Sequence, residues 1–259
     1  MEEPKRSTVS RRSHILDLLN QQGQVDVVTL SRQLGVSEVT IRNDLTKLEQ
    51  KNLLIKARGG AMKADRVATD FSIRDKKKQH LEEKEKIGRA AAKLIEPGET
   101  IILDSGTTTL EVARSLPRDM PLTVITNALN IADQLAEYQN LTVMVPGGVL
   151  RKNSLSLVGA TAEVVFKSFF CDKIFLAVDG FHMVHGLSTP NVEEAHLNRI
   201  MIEMSKQVIV VADSSKFHRR SFAFISPITE VNVLVTDSGI QDEDRKALEN
   251  IGIRVLVAK

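Results

Sequence analysis

The chain has one cysteine, Cys171, in 259 residues. That excludes an intrachain disulfide and any multi-cysteine metal site. Phe169, Phe170, Ile174 and Phe175 surround it in sequence and mark an inert core thiol rather than a nucleophile. His80, His182, His185, His196 and His218 lack metal-ligand spacing, and His182-x-x-His185 brings at most two imidazoles together, so neither metal nor cofactor is expected. No apolar run approaches membrane-spanning length, and Met1-Glu2-Glu3-Pro4-Lys5-Arg6-Ser7 carries no apolar leader core. The expectation is a soluble cytoplasmic protein with no membrane partner.

What the chain does have is an uneven distribution of charge. Residues 1–93 hold 20 Lys+Arg and 13 Asp+Glu, a balance of +7, whereas residues 94–259 hold 15 and 20, a balance of −5. A basic N-terminal third on an acidic remainder points to one part that meets a polyanion and another with separate work. The length fits one small and one large domain, and an apolar fraction of 42% is ample for a core.

The basic part contains three helical patterns. Arg11 to Gln21 carries Ile15, Leu18 and Leu19 on one side and stops at Gly23. Val25-Asp26-Val27 reads as a short strand or turn, Val28 to Leu34 as a second helix, and Gly35-Val36 as a tight link. In the third helix, Ser37 to Glu49, Ile41, Leu45 and Leu48 recur at i, i+4 and i+7 and face inward. Ser37 can cap its first turn. The outward face carries Val39, Thr40, Arg42, Asn43 and Lys47, the chemistry a major-groove reader needs: arginine for guanine or phosphate, asparagine for adenine, apolar groups for a thymine methyl. Leu53 to Met62 predicts a two-stranded hairpin turning at Gly59-Gly60, with Lys56 and Arg58 near its tip for phosphate or minor-groove contact. Helix, tight turn, polar-faced helix and hairpin predict a winged helix-turn-helix over residues 1–63, with double-stranded DNA as its expected partner. Residues 64–93 read as a linker and connecting helix, Ile73 to Ile95, with Lys76-Lys77-Lys78 exposed either as phosphate attraction or as a solvated face.

From residue 94 to 259, strand-like runs alternate with amphipathic helices: Thr100–Leu103, Leu122–Ile125, Leu141–Val145, Lys173–Val178, Val208–Ala212, Val231–Val235 and Arg254–Val257. Such alternation predicts an α/β fold with a mostly parallel sheet, whose ligands bind beyond the carboxyl ends of the strands. Polar clusters follow the strands: Asp104-Ser105-Gly106-Thr107-Thr108, Thr126-Asn127, Gly147-Gly148 with Arg151, Asp179-Gly180-Phe181-His182 followed by Thr189, and Asp213-Ser214-Ser215-Lys216. The first lacks a P-loop ending and is not a nucleoside triphosphate site. Its backbone N–H groups and hydroxyls can still surround an anion at a helix N-terminus. The expected ligand is a phosphorylated sugar or amino sugar, with phosphate on the Asp104–Thr109 turn and Lys216. Asn127, Asp179, His182 and Glu194 would address its hydroxyls or amino group.

Several ordered motifs resemble the DeoR-type bacterial transcription regulators. In the first part these are Gly23-x-Val25, Leu30, Leu34, Val36-Ser37, Thr40-Ile41-Arg42-x-Asp44-Leu45, Leu48-Glu49 and Arg58-Gly59-Gly60-Ala61. In the second they are Leu103-Asp104-Ser105-Gly106-Thr107-Thr108, Thr126-Asn127, Gly147-Gly148, Gly159, Asp179-Gly180, Gly186-Leu187-Ser188-Thr189, Glu194-Ala195 and Asp213-Ser214-Ser215-Lys216. The resemblance spans nearly the whole chain. It implies operator contact by Thr40, Arg42 and their outward neighbours, and an effector domain related in fold to ribose-phosphate isomerases and glucosamine-phosphate deaminases. Val178–Phe181 and Leu197–Met201 look most like regulators of amino-sugar and galactitol or tagatose pathways. Ala57 and His182 depart from the pattern, which has a larger residue at the first and often aspartate at the second.

The resulting expectation is a non-enzymatic repressor of a carbohydrate operon, working as a homo-oligomeric dimer or tetramer, because one helix-turn-helix reads few base pairs. Two other readings compete with it. Asp179, His182 and Glu194 could form an acid/base set for isomerisation or deamination; alternatively, the larger domain could only oligomerise an architectural DNA binder.

Overall fold

The computed structural model describes residues 8–49, 53–57, 59–63 and 70–259. The chain divides into two compact units, Met1–Val67 and Ala68–Lys259.

The first unit runs α1 (Thr8–Gln22), β1 (Gln24–Asp26), α2 (Val27–Leu34), α3 (Glu38–Glu49), β2 (Leu54–Ala57) and β3 (Gly60–Lys63). Each helix boundary has a local cause. Asp26 accepts from Thr29 N at 2.7 Å and caps α2, and these hydrogen bonds hold its carboxyl below the usual range. Gly35, at φ 63°, ends that helix with its N–H on Ser31 O. Ser37 Oγ accepts from Thr40 N at 3.2 Å and starts α3. Ile15, Leu19, Leu30, Ile41, Leu45, Leu48 and Leu54 close the core.

Beneath α3 lies a buried ion pair that the helical period does not announce. Asp44, 2% exposed, takes Arg11 Nε at 2.5 Å and Arg12 Nε at 2.7 Å, which joins α3 to α1. The expected two-stranded hairpin gains a third strand, in the order β1-β3-β2. Gly59 supplies the positive φ of the turn at 83°. Gly60 has another role: β1 crosses so close that a Cβ there would lie 2.0 Å from Val25 O.

The second unit begins with α4 (Ile73–Lys77) and α5 (Leu81–Ala92). The single helix expected over Ile73–Ile95 is broken at His80, whose φ is 52°. There follow β4 (Thr100–Leu103), α6 (Thr107–Arg114), β5 (Leu122–Ile125), α7 (Leu129–Leu135), β6 (Leu141–Met144), β7 (Val149–Arg151), β8 (Ser156–Val158), α8 (Ala160–Phe166) and β9 (Cys171–Leu176). Next come β10 (Gly180–His182), β11 (Gly186–Thr189), α9 (Val192–Glu203), β12 (Ser205–Val211), β13 (Ala223–Ser226), β14 (Val233–Thr236), α10 (Asp242–Asn250) and β15 (Arg254–Val257).

Seven strands form one sheet in the order β15-β14-β12-β9-β4-β5-β6, and every pairing in it is parallel. The seven apolar runs of the sequence are these seven strands. One core layer, around Phe166, Ile174, Leu197, Met201 and Val210, lies on one face, and another, around Ile87, Ile101, Val112, Phe175 and Ile209, on the other. Two antiparallel pieces interrupt the alternation: the β7–β8 hairpin and a small sheet ordered β10-β11-β13. The strand order reverses between β4 and β9. In a doubly wound sheet that reversal opens a crevice at the carboxyl edge, where crossover connections leave in opposite directions.

Candidate functional site

A cleft occupies that crevice, lined by the segments after β4 and β9 together with residues from α4, α5, α9 and the β7–β8 hairpin. From β4 come Asp104, Ser105 and Gly106, then Thr107 and Thr108 in the first turn of α6. No side chain caps α6, so its leading N–H groups and positive dipole end are available to an anion. Gly106 is required by a close approach, since a Cβ there would lie 2.6 Å from Ala177 Cβ in the loop after β9.

Cations gather at one end of the cleft. Lys76 Nζ lies 2.6 Å from Asp179 Oδ1, and Lys216 Nζ lies 4.0 Å from the same oxygen. Lys84, 3% exposed, donates to Lys76 O at 2.7 Å and Gln79 O at 2.6 Å. Burial pushes the Lys84 ammonium down to about 8, against the opposing pull of Asp213. Burial would raise Asp179, but Lys76 and Lys216 together outweigh it and hold the carboxyl below its usual range. Asp213 behaves likewise: burial opposes ionisation, while Lys216, His80 and Ser215 prevail. Its Oδ1 caps the short 3-10 turn Ser214–Lys216 by accepting from Ser215 N at 3.1 Å, which fixes the base of Lys216.

Carboxylates and amides form a second linked group in the cleft. Asp104 is 2% exposed; burial, followed by the nearby Glu194 charge, raises it well above the carboxylate range. It can therefore hold a proton and donate to a ligand oxygen. Asn198, with its amide nitrogen turned toward these acceptors, donates to Asp104 Oδ1 at 3.2 Å and Glu194 O at 3.1 Å. Glu194 Oε1 accepts from Ser156 Oγ at 2.8 Å and Arg151 at 3.2 Å. Arg151 also donates to Ser154 Oγ at 3.0 Å and pairs with Asp70.

Of the residues expected to meet a ligand, Asp104, Ser105, Gly106, Thr107, Thr108, Arg151, Asp179, Thr189, Glu194 and Lys216 line this cleft. Thr126, Asn127, Gly147, Gly148, Gly180 and His182 do not. Thr126 Oγ1 accepts from Ala128 N at 3.1 Å ahead of α7, and Asn127 O accepts from Leu157 N at 2.8 Å, fastening β8. Gly147 and Gly148 make a positive-φ turn into β7. Gly180 opens β10 and pairs with Ser188. The His182 Nδ1 atom accepts from Val184 N at 3.1 Å and His185 N at 3.2 Å, closing the β10–β11 turn. Burial, then His185, Arg220 and His218, lower its affinity for a proton. For Thr126, Asn127, Gly147 and Gly148 the reason is sheet width, whereas Arg151 returns to the cleft on the β7–β8 hairpin and Gly180 and His182 belong to β10 of the small antiparallel sheet. The loops after β4, β9 and β12 belong to adjacent strands, whereas those after β5 and β6 lie outward, at roughly 5 Å per strand.

Asp70, Lys76, Lys84, Asn153 and Asn198 also line the cleft but were not singled out from the sequence. Lys76 belongs to the run expected to be exposed; only its neighbours Lys77 and Lys78 are exposed. Lys84 did leave a signal: it falls on the stripe of Ile87, Gly88 and Ala91, and a lysine on an apolar face has a buried task. Asn198 is one helical turn beyond Glu194 and shares its face.

In the first unit, Ser37, Val39, Arg42, Asn43 and Lys47 are exposed, while Thr40 and Lys56 are half-buried. Arg42 pairs with Glu38 at 2.6 Å along the exposed face of α3. An exposed i,i+4 pair is worth only about 0.3–0.5 kcal/mol, so a phosphate or guanine can take the guanidinium over at little cost. Lys56 Nζ donates to Thr46 Oγ1 at 2.9 Å and so points at α3 rather than at the hairpin tip. Arg58 lies outside the described residues. Cys171 is buried, and burial pushes its thiol up to about 11. Among the described residues, no three His, Cys, Asp or Glu side chains are grouped to hold a metal ion, and no helix is long and apolar enough to cross a membrane.

Comparison with known proteins places both units. Residues 11–67 match the DeoR-like helix-turn-helix domain and residues 79–238 the DeoR C-terminal sensor domain. A protein of Escherichia coli O157:H7 bearing the name aga operon transcriptional repressor is 39% identical over 96% of this chain and 94% of its own. The transcriptional regulator GlpR of Haloferax volcanii is 35% identical over 95% and 96%. Among solved structures, the sorbitol operon regulator SorC of Klebsiella pneumoniae aligns over 94% of this chain and 99% of its own, with 12% identity and a TM-score of 0.42, too distant to add to the assignment. The chain belongs to the DeoR family of transcriptional regulators, with a helix-turn-helix DNA-binding domain followed by a C-terminal sensor domain.

Proposed function

We propose that the protein represses a carbohydrate catabolic operon and that a phosphorylated sugar or amino sugar in the β4/β9 cleft controls its hold on the operator. The observation that carries this reading is the meeting of Lys76, Lys84 and Lys216 with the uncapped N-terminus of α6 in one cleft. Oriented N–H dipoles and ammonium groups there suit a phosphate. Asp104, Glu194, Asn198 and Arg151, in the same cleft, offer donors and acceptors to hydroxyl or amino groups. Relatives that carry the names of transcriptional repressors support the same direction.

Operator contact falls to Val39, Thr40, Arg42, Asn43 and Lys47 of α3, with Ser37 at its start, Lys56 on β2 and, from the sequence alone, Arg58. The chain acts as a homo-oligomer, a dimer or tetramer, since paired half-sites supply the contacts one helix-turn-helix lacks. The effector shifts the population between arrangements that hold DNA and those that do not, and it must bind the two with different affinity.

A thermal-shift screen of ribose, glucosamine, galactitol and tagatose phosphates tests the cleft, because a ligand of the native state stabilises by mass action. The same compounds are then titrated against a duplex recovered by selection from random DNA. Stabilisation together with altered duplex affinity is expected. Stabilisation without any effect on the duplex defeats the switch, and turnover of a stabilising compound at enzyme-like rates defeats the regulatory reading in favour of catalysis.

A further inference from the structure

The segment that opens the sensor unit is part of its cleft. Asp70, Phe71, Ile73 and Lys76 line it beside the β4 and β9 loops. Four contacts hold the segment there. The Asp70 carboxylate pairs with Arg151 and accepts from Asn153 Nδ2 at 2.8 Å. The Ile73 N–H donates to Asn153 O at 2.6 Å, and Lys76 pairs with Asp179. In the sequence, residues 70–73 directly follow the stretch that joins the sensor unit to the helix-turn-helix.

Arg151 holds two carboxylates that are not equivalent. The Glu194 side chain is 8% exposed and also accepts from Ser156, whereas the Asp70 side chain is 31% exposed. If Asp70 leaves, Arg151 retains Glu194 and Ser154, so no buried cation is stranded. Asp70 itself, already partly in water, regains solvation at little cost. Asp70 is thus the exchangeable member, and a ligand oxygen can take its place on the guanidinium fork. Lys76 works in the opposite sense. Its ammonium stands with Lys84 and Lys216 at the cationic end, so an anionic ligand attracts it and retains α4.

We propose that Asp70 is an internal competitor for the effector: it holds Arg151 until a bound ligand displaces it, which frees residues 70–72 and the Ile73 N–H while Lys76 keeps the rest of α4 in place. The proposal rests on the reading of this cleft as the effector site. It gives the ligand a direct covalent route toward the helix-turn-helix, because the freed residues are the sensor-side end of the connection.

Hydrogen exchange on the full chain tests it, with the Ile73 amide as reporter. Without ligand, Asp70→Ala should speed Ile73 exchange about tenfold, and Asp70→Asn, which removes only the charge, should do so less. Glucosamine 6-phosphate, ribose 5-phosphate and tagatose 6-phosphate are then added separately. A compound that slows exchange at Thr107–Thr109 should speed it at Ile73 in the unaltered protein, and should bind Asp70→Ala about tenfold more tightly. Unchanged Ile73 exchange in ligand-free Asp70→Ala overturns the proposal, as does a compound that slows exchange at both places. In the second case the effector reading survives. If none of the three compounds affects Thr107–Thr109, that reading fails and the proposal falls with it.

Discussion

The two units assign polar residues in opposite ways. In α3 the residues proposed to read DNA stand outside a helix whose inner face, Ile41, Leu45 and Leu48, holds the fold. Recognition and stability occupy different sides of one element. In the sensor cleft the side chains proposed to meet the effector have both tasks: Asp104, Lys84, Glu194 and Asn198 are nearly buried and are also partners in the structure. A surface reader can change its outward residues without refolding, whereas a buried anion site cannot change a ligand residue without disturbing its supports.

The sharpest test of the first half of that contrast is Asp44, the polar residue of α3 that faces inward. Asp44→Ala strands Arg11, itself 9% exposed, and should destabilise the helix-turn-helix unit by about 3–5 kcal/mol. Chemical denaturation followed by a probe in that unit reads this directly, and a loss under about 1 kcal/mol would break the contrast. On the sensor side, Lys216→Ala should weaken sugar-phosphate binding by about 1.5–3 kcal/mol, as for a hydrogen bond to a charged group. Calorimetric titration should show that loss, while ligand-free affinity for the selected duplex stays unchanged. The mirror experiment is Arg42→Ala. Specific duplex binding should fall by about 1–3 kcal/mol, with ligand affinity intact and stability within about 0.5 kcal/mol of the unaltered protein. Loss of both activities in a folded Arg42→Ala protein would contradict the separation.

The smallest effect is a pH dependence of two opposite signs. Lys84 has a folded pKa of about 8, below its ordinary 10.5. Between those values the unfolded chain binds more protons, so the Lys84 contribution to stability rises with pH from about 8 to 10.5. Affinity for a sugar phosphate in the proposed site should move the other way, declining as Lys84 loses its proton above about 8. Lys84→Met should flatten both trends between pH 7 and 9, roughly one unit either side of that midpoint. If phosphate affinity declined equally in the variant, Lys84 would not be its cause.

The fold was more legible than the site, for reasons visible in particular residues. Ile41, Leu45 and Leu48 announce their buried face by spacing alone, and apolar runs such as Ile101-Ile102-Leu103 announce strands buried on both sides. The Asp104–Thr108 turn was equally readable, because a polar cluster between a strand and a helix is a local pattern. Thr126, Asn127 and His182 are where local reasoning stopped. Each comes soon after a strand of the parallel sheet, as a ligand residue would, yet Thr126 Oγ1, Asn127 Nδ2 and His182 Nδ1 each bond to a nearby backbone. A polar residue after a strand looks the same in sequence whether it meets a ligand or fastens a turn.

By itself the sequence determined the helix-turn-helix with its hairpin, the alternation that demands a parallel sheet, and the polar edge beyond its strands. All of these depend on residues within a few positions of one another, where period and turn chemistry act. Only the tertiary structure decided that β4 and β9 are neighbours at the reversal, and hence which polar loops converge there. It alone brought Lys76 to Asp179 across 103 positions and Asp70 to Arg151 across 81. Strand order is set by how whole layers pack, and no local pattern in α4 or α5 carries that information.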